Sequence, residues 1–137
     1  MKTLAEWLEI FNGKTGNSFR LDGRYEFFYL PDKGVCQIMR TAKMVILGNV
    51  CGDGAYWKAF AEKKAAQWGL GVCGTMFCRL NVRAWARLLG YEITEETPLD
   101  NGAKRYKGKH RKSGKWCLAS PAFTEEKKLV YYVTWEV

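Results

Sequence analysis

The hydrophobic periodicity of this chain changes several times along its length, and these changes set the order of its elements. Patterns typical of strands cover residues 25–30, 35–39, 44–50 and 72–78. Helical spacing of apolar residues occurs before the first of these runs, between the last two, and again over residues 82–89. Strands and helices that alternate in this way predict an α/β architecture built as one set of packed layers.

Turn-forming residues mark the ends of these predicted elements. Residues 31–34, Pro-Asp-Lys-Gly, join the first two strands as a hairpin. Gly13 is expected to end a short first helix, Gly69 and Gly71 to end the second, and Gly90 to form the left-handed cap of the third. The apolar face of the first helix comprises Leu4, Trp7, Leu8 and Phe11.

Length and composition favour one soluble domain spanning residues 1–137. The 137 residues are 47% hydrophobic, so the chain buries a sizeable core without help from a metal. Five cysteines, an odd number, and the lack of an export signal argue for a reducing compartment, and we expect a cytoplasmic protein. No apolar run approaches the roughly 18 residues that a membrane span needs. The single histidine lies at no zinc-site spacing, so we expect no metal site.

Positive charge is concentrated in the last third of the chain. The chain has a formal net charge of +8, and seven of its Lys and Arg residues lie between residues 104 and 115, a stretch that contains no acid. We predict a basic loop insertion over residues of about 100–116 that contacts nucleic-acid phosphates or an acidic partner; a solvated loop without a partner is an equal alternative. Its cations are Lys104, Arg105, Lys107, Lys109, Arg111, Lys112 and Lys115. Residues 129–137 then predict a C-terminal strand, whose edge offers a route to a homodimer.

One short stretch between the third predicted strand and the second predicted helix resembles a known ligand-binding loop. Residues 49–54, Asn-Val-Cys-Gly-Asp-Gly, are similar to the acyl-CoA loop of the GNAT superfamily of N-acyltransferases. The family pattern is Gln or Arg, two residues, Gly, one residue, then Gly or Ala. Glycines allow close approach of the backbone, and amide groups at a helix N-terminus bind a diphosphate. An ordinary strand-to-helix turn capped by Asp53 or Asn49 is the alternative.

A second stretch supports this resemblance and extends what it implies. Residues 81–91 resemble the later GNAT motif, in which Asn and Ala begin a helix that ends in Gly and an aromatic residue, and they also resemble small phage and prophage members. The resemblance implies a GNAT-like mixed sheet flanked by helices, acetyl-CoA as cofactor and an amine as acceptor. The cofactor-binding residues it implies are Asn49, Val50, Cys51, Gly52, Asp53, Gly54, Ala55 and Asn81.

The catalytic groups are less complete than those of the family. Glu26, acting through water, and Asn81 are the candidates. Ala86 stands where many members carry a tyrosine that protonates the leaving thiolate, and Asp53 brings a carboxylate into the loop. Two alternatives therefore stay open: a GNAT-fold protein that has lost catalysis and acts as a binding or structural module, and a basic nucleic-acid-binding domain.

Overall fold

The computed structural model describes residues 1–15, 23–77 and 81–137. Within these ranges the chain is mixed α+β, with three helices and an eight-stranded mixed sheet. This confirms the mixed class expected from the sequence, whereas a GNAT arrangement of these elements stays a prediction. The chain divides into two compact units, Met1–Cys73 and Gly74–Val137. That all 137 residues form one domain also stays a prediction.

The first unit consists of an antiparallel β-meander with one helix before it and one after it. β1 pairs with β2 and β2 with β3, both antiparallel, as the predicted hairpin required. Its elements are α1 (Leu4–Thr15), β1 (Glu26–Leu30), β2 (Gly34–Arg40), β3 (Val45–Gly52), α2 (Gly54–Gln67) and the start of β4 (Val72–Phe77). The predicted second helix is confirmed, and Gly69 follows it in the left-handed region at φ 69°.

Helix α1 packs its predicted apolar face onto this meander. Phe11 is buried with Val35 and Cys51, and the other apolar residues of the helix pack against the same cluster. A reciprocal pair of hydrogen bonds starts the helix: the Thr3 hydroxyl accepts from the Glu6 N–H, and the Glu6 carboxylate accepts from the Thr3 N–H. The predicted stop at Gly13 is wrong, because α1 continues to Thr15. An exposed glycine inside a helix costs only about 1 kcal/mol, which the packing of the apolar face offsets.

Helix α2 covers the opposite face of the meander. Its buried residues are Trp57, Ala61 and Ala65, and Phe60 makes an edge contact with Phe28 of β1, with ring centroids 4.8 Å apart. The neighbouring strand residue, Phe27, packs on the α1 side. Successive side chains of a strand point to opposite faces, so β1 contributes to both layers of the core.

The second unit is an antiparallel meander backed by a short helix. Its strand order is β4-β8-β7-β6-β5, with β5 at the edge. Its elements after β4 are α3 (Val82–Leu88), β5 (Tyr91–Pro98), β6 (Lys104–His110), β7 (Trp116–Phe123) and β8 (Leu129–Glu136). The third helix and its left-handed glycine, Gly90 at φ 85°, are confirmed. Cys78, the last residue of the fourth predicted strand, lies outside the described residues.

The C-terminal strand supplies much of the core of the second unit. Tyr131, Val133 and Trp135 alternate on the buried face of β8, which confirms the predicted strand. The Trp85 ring of α3 stacks on Tyr91 with centroids 5.8 Å apart. Because β8 lies between β7 and β4, its edge is not open to a second copy, and the predicted route to a homodimer is wrong.

The basic segment is a strand rather than the predicted loop insertion over residues 100–116. Residues 104–110 form β6, which pairs with both β5 and β7, and only a tight turn over residues 111–115 separates β6 from β7. Lys109 lies opposite Glu92 and Lys107 opposite Glu95. Opposite charges across a strand pair are favourable, so the acids of β5 make a lysine-rich strand acceptable in the sheet.

Candidate functional site

Strand β3 carries a β-bulge in the middle of the predicted cofactor loop. Val35 pairs with Cys51 and Gln37 with Gly48, so Asn49 and Val50 together oppose the single residue between Val35 and Gln37 on β2. Asn49 has φ 47°, a left-handed conformation that asparagine tolerates better than most side chains. The predicted loop is therefore mostly strand, because β3 extends through Gly52. A bulge re-aims the chain locally and is frequent beside functional sites.

Asp53 caps the helix that follows the bulge. Its Oδ1 accepts a hydrogen bond from the Tyr56 N–H at 3.0 Å, and its Oδ2 lies 3.3 Å from the Lys33 Nζ. The hydrogen bond from Tyr56, followed by the contact with Lys33, lowers the pKa of the Asp53 carboxyl below its usual value. The start of α2 thus carries one ionised carboxylate, paired with one ammonium group.

The two glycines of the motif have different reasons to be glycine. A Cβ on Gly52 would lie 2.1 Å from the carbonyl oxygen of Lys33, and its φ of 114° is one that side chains rarely adopt. Gly52 is therefore required by the packing of β3 against the β1–β2 turn. A Cβ on Gly54 would meet nothing within 4 Å, so the space beside the first residue of α2 is open.

The remaining residues of the predicted loop lie on both sides of the point where β3 ends and α2 begins. Cys51 is buried under α1, Val50 is half-buried, and Ala55 is exposed in the first turn of α2. The Ala55 N–H also contributes to lowering the pKa of Asp53. Residues 49–55 thus span the junction of β3 and α2, and their role in binding a cofactor stays a prediction.

Glu26 lies in the same cross-strand row as the middle of β3. It pairs in register with Ile38 of β2, and Ile38 pairs with Leu47 of β3. Two strand spacings separate Glu26 from Leu47, about 9.5 Å, and residues opposite one another share a face of the sheet. Glu26 is exposed at the start of β1. Ile38 and Leu47 are both buried, so Glu26 could act on a group near Leu47 only through water outside this row.

Asn81 and Ala86 belong to the second unit. The Asn81 Oδ1 accepts from the Ala84 N–H at 3.0 Å and so caps α3. Ala86 faces the core and is buried. The structure therefore gives Asn81 a capping role, and the methyl group of Ala86 has no proton to give.

The described cysteines are structural. Cys36, Cys51, Cys73 and Cys117 are all buried and none is in a disulfide. Burial raises the pKa of the Cys36 and Cys73 thiols to about 12, so neither is a thiolate at neutral pH. Within residues 1–15, 23–77 and 81–137, no three His, Cys, Asp or Glu side chains come together to hold a metal ion. In the same part of the chain, no helix is long and apolar enough to cross a membrane.

The predicted polyanion-binding cations divide between the two faces of β6 and the turn that follows. Arg105, Lys107 and Lys109 alternate along the face that is exposed, whereas Lys104 is on the other face, 3.6 Å from Glu96. The turn over residues 111–115 carries Arg111, Lys112 and Lys115. The imidazole Nδ1 of His110 accepts from the Lys112 N–H at 3.2 Å and orders this turn.

Two residues that shape these regions were missed by sequence reasoning. Lys33, twenty positions from Asp53, has no local pattern that marks it as its ion-pair partner. Glu96 binds the Arg83 side chain of α3, and the hydrogen bond from Arg83 lowers the pKa of Glu96. The Thr3–Glu6 capping box, by contrast, has a recognisable signal in the sequence, Thr-x-x-Glu before an apolar run.

No protein-family model, no curated protein and no solved structure matches this chain.

Proposed function

We propose that this protein is an acyl-CoA-dependent N-acyltransferase that transfers an acetyl group from acetyl-CoA to an amine. The observation that carries the proposal is the bulged end of β3, which runs directly into the start of α2. The bulge takes Asn49 and Val50 out of the regular ladder beside a helix N-terminus with open space at Gly54. This combination of strand, bulge, glycine and helix is the context that the resemblance to the GNAT superfamily requires.

The junction of β3 and α2 fits a diphosphate in three respects and opposes it in one. The open position at Gly54 allows a ligand to approach the backbone, and the positive end of a helix of 14 residues favours an anion. Lys33 adds a cation beside the same turn. The Asp53 carboxylate opposes a diphosphate, because it is ionised and already accepts from the N–H of Tyr56.

When bound, acetyl-CoA would supply the acyl group as a thioester. In that arrangement the backbone at Gly54 and Ala55 would hold the diphosphate, and Glu26, exposed at the start of β1, would accept through water the proton that the amine loses. Ala86 is buried and has no acidic proton, so this position offers no general acid and solvent would have to protonate a leaving thiolate. Such an enzyme relies on positioning rather than on a general acid, and positioning alone supplies a large part of many rate enhancements.

The test is release of free thiol from acetyl-CoA in the presence of primary amines, measured for the wild type, Gly54→Leu and Gly71→Leu. Both glycines have open space around the position of a Cβ and neither has a positive φ, so both variants are expected to fold. We expect thiol release by the wild type and by Gly71→Leu, with a loss of at least tenfold in Gly54→Leu.

Binding of acetyl-CoA without thiol release for any amine would favour the alternative of a GNAT-fold protein that has lost catalysis. Equal activity of the two leucine variants would contradict a ligand seated at the start of α2.

A further inference from the structure

We propose that the exposed face of the β5–β8 meander binds single-stranded nucleic acid, independently of the acyltransferase proposal. This surface, the outer face, is defined by the alternate residues of β6, β7 and β8 that point away from α3. Its members are Arg105, Lys107, Lys109, Trp116, Leu118, Ser120, Tyr132 and Thr134.

The strand register places a cation and an aromatic ring side by side on the outer face. Lys109 pairs directly with Trp116, and Lys107 with Leu118. Directly opposed side chains have Cβ atoms about 5 Å apart, so a base stacked on Trp116 leaves its phosphate within reach of Lys109. The Trp116 and Tyr132 side chains are 39% and 52% exposed, so both rings are accessible to a ligand.

A groove of about 460 Å³ runs across β6 at this point. Its walls are Thr94 and Glu95 on one side and Trp116 and Leu118 on the other, with Lys107 and Lys109 between them. The volume lies in the range of sites that accept a small ligand such as one nucleotide.

The charges around the outer face differ between its β5 side and its β8 side. The acids Glu92 and Glu95 belong to β5 and lie opposite Lys109 and Lys107. Glu136 of β8 is the acid on the far side, where its Oε1 accepts from the Trp116 N–H. Arg105 lies opposite Thr97, not an acid.

This distribution sets a direction for the ligand. The acids of β5 repel phosphates from that edge, so the sugar-phosphate backbone follows β6 and its turn, and the bases lie over β7 and β8. The turn after β6 continues the positive path with Arg111, Lys112 and Lys115. Arg105, Lys107 and Lys109 are spaced two residues apart, about 6.7 Å, so each is placed to meet a different phosphate.

A nucleic acid with unpaired bases is the ligand that would contact both the aromatic rings and the cations of the outer face. Aromatic side chains on a flat sheet stack on bases that are free of a duplex, and cations along a groove follow the backbone. A duplex hides the faces of its bases from Trp116 and Tyr132, and an acidic peptide has no bases to stack on them. The combination therefore selects a single strand.

The test is binding of a fluorescently labelled single-stranded oligonucleotide at several salt concentrations, with a duplex of the same length and poly-glutamate as comparison ligands. Trp116→Ala removes the proposed stacking platform. Phe123→Ala is its matched control, because Phe123 is on the same strand, is 50% exposed and points to the other face. Loss of stacking on one base is expected to weaken binding about tenfold in Trp116→Ala, with no change in Phe123→Ala.

The cations have a matched control of equal net charge. Lys107→Gln with Lys109→Gln removes two charges from the outer face, and Lys43→Gln with Lys128→Gln removes two exposed charges that do not belong to the predicted polyanion-binding cations. We expect only the first pair to lower the dependence of log K on log salt, by about 1.4 for two phosphates of a single strand.

Three results would overturn the proposal. They are the absence of binding at low salt, binding of the duplex or of poly-glutamate as tight as that of the single strand, and equal loss of affinity in the matched pairs of variants. Thermal unfolding of each variant confirms that a lost affinity is not a lost fold.

Discussion

The start of α2 and the outer face of β6 were both expected to bind anions, yet the fold uses their charges in different ways. At the start of α2, Asp53 occupies an N–H group of the helix and is itself paired with Lys33. On β6, Lys107 and Lys109 are paired with acids of β5 on one side, and Trp116 and Leu118 of β7 lie on the other. At the start of α2 the charged groups are largely paired within the chain, whereas the outer face presents charge and apolar surface to solvent.

The comparison extends to the glycines of the two regions. Gly52 is fixed by contact with the backbone of the β1–β2 turn, and Gly108 of β6 is fixed by the Glu92 carbonyl, 2.6 Å from where its Cβ would be. Gly54 alone of these three has open space around it. A glycine motif in a sequence therefore does not separate residues that a ligand needs from residues that the fold needs.

The largest expected effect on the free energy of unfolding comes from replacing Gly52 with alanine, and the same change at Gly54 is its comparison. Gly52→Ala is expected to lower the free energy of unfolding by about 3 kcal/mol, because its Cβ collides with a backbone carbonyl and its φ is unfavourable for alanine. Gly54→Ala, at the first position of a helix, is expected to change stability by less than about 1 kcal/mol in the favourable direction. Chemical denaturation monitored by tryptophan fluorescence measures both. A stable Gly52→Ala variant would contradict the packing described for β3.

A smaller effect is expected from the cap of α2. Asp53→Ala is expected to cost about 1 kcal/mol, and Asp53→Asn less, since asparagine also caps helices well. Because folding lowers the pKa of Asp53, its contribution is present above the usual pKa of the carboxyl and is lost as the pH falls through the pKa of the folded state.

The stability of Asp53→Asn should therefore decrease less steeply than that of the wild type as the pH is lowered from neutral. Denaturation midpoints measured over the acidic range check this. Parallel curves for the two proteins would mean that the Asp53 carboxylate has no such role.

Much of the first unit could be predicted from the sequence because its signals are local. The hairpin turn at residues 31–34, the apolar face of α1 and the glycine after α2 each act within a few residues. The bulge at Asn49 could not be predicted, because it depends on how β3 is registered against β2. The pairing of Asp53 with Lys33 depends on the same register.

The second unit was harder to predict because its strands are charged. Glutamate and lysine are depleted in strands, so residues 91–98 and 104–110 lack the composition of a sheet. Their pairing becomes favourable only when the two segments meet and place Glu92 opposite Lys109. This contact links residues 17 positions apart, which no local pattern reveals.

The most direct test of the acyltransferase proposal is a calorimetric titration with acetyl-CoA of the wild type and of Asp53→Asn, with ATP as the control polyphosphate. If the diphosphate binds at the start of α2, both proteins bind acetyl-CoA in preference to ATP. Asp53→Asn binds it about fivefold more tightly, because removing a like charge is worth about 1 kcal/mol. No binding, equal binding of the two ligands, or unchanged affinity in Asp53→Asn would contradict a cofactor site at the junction of β3 and α2.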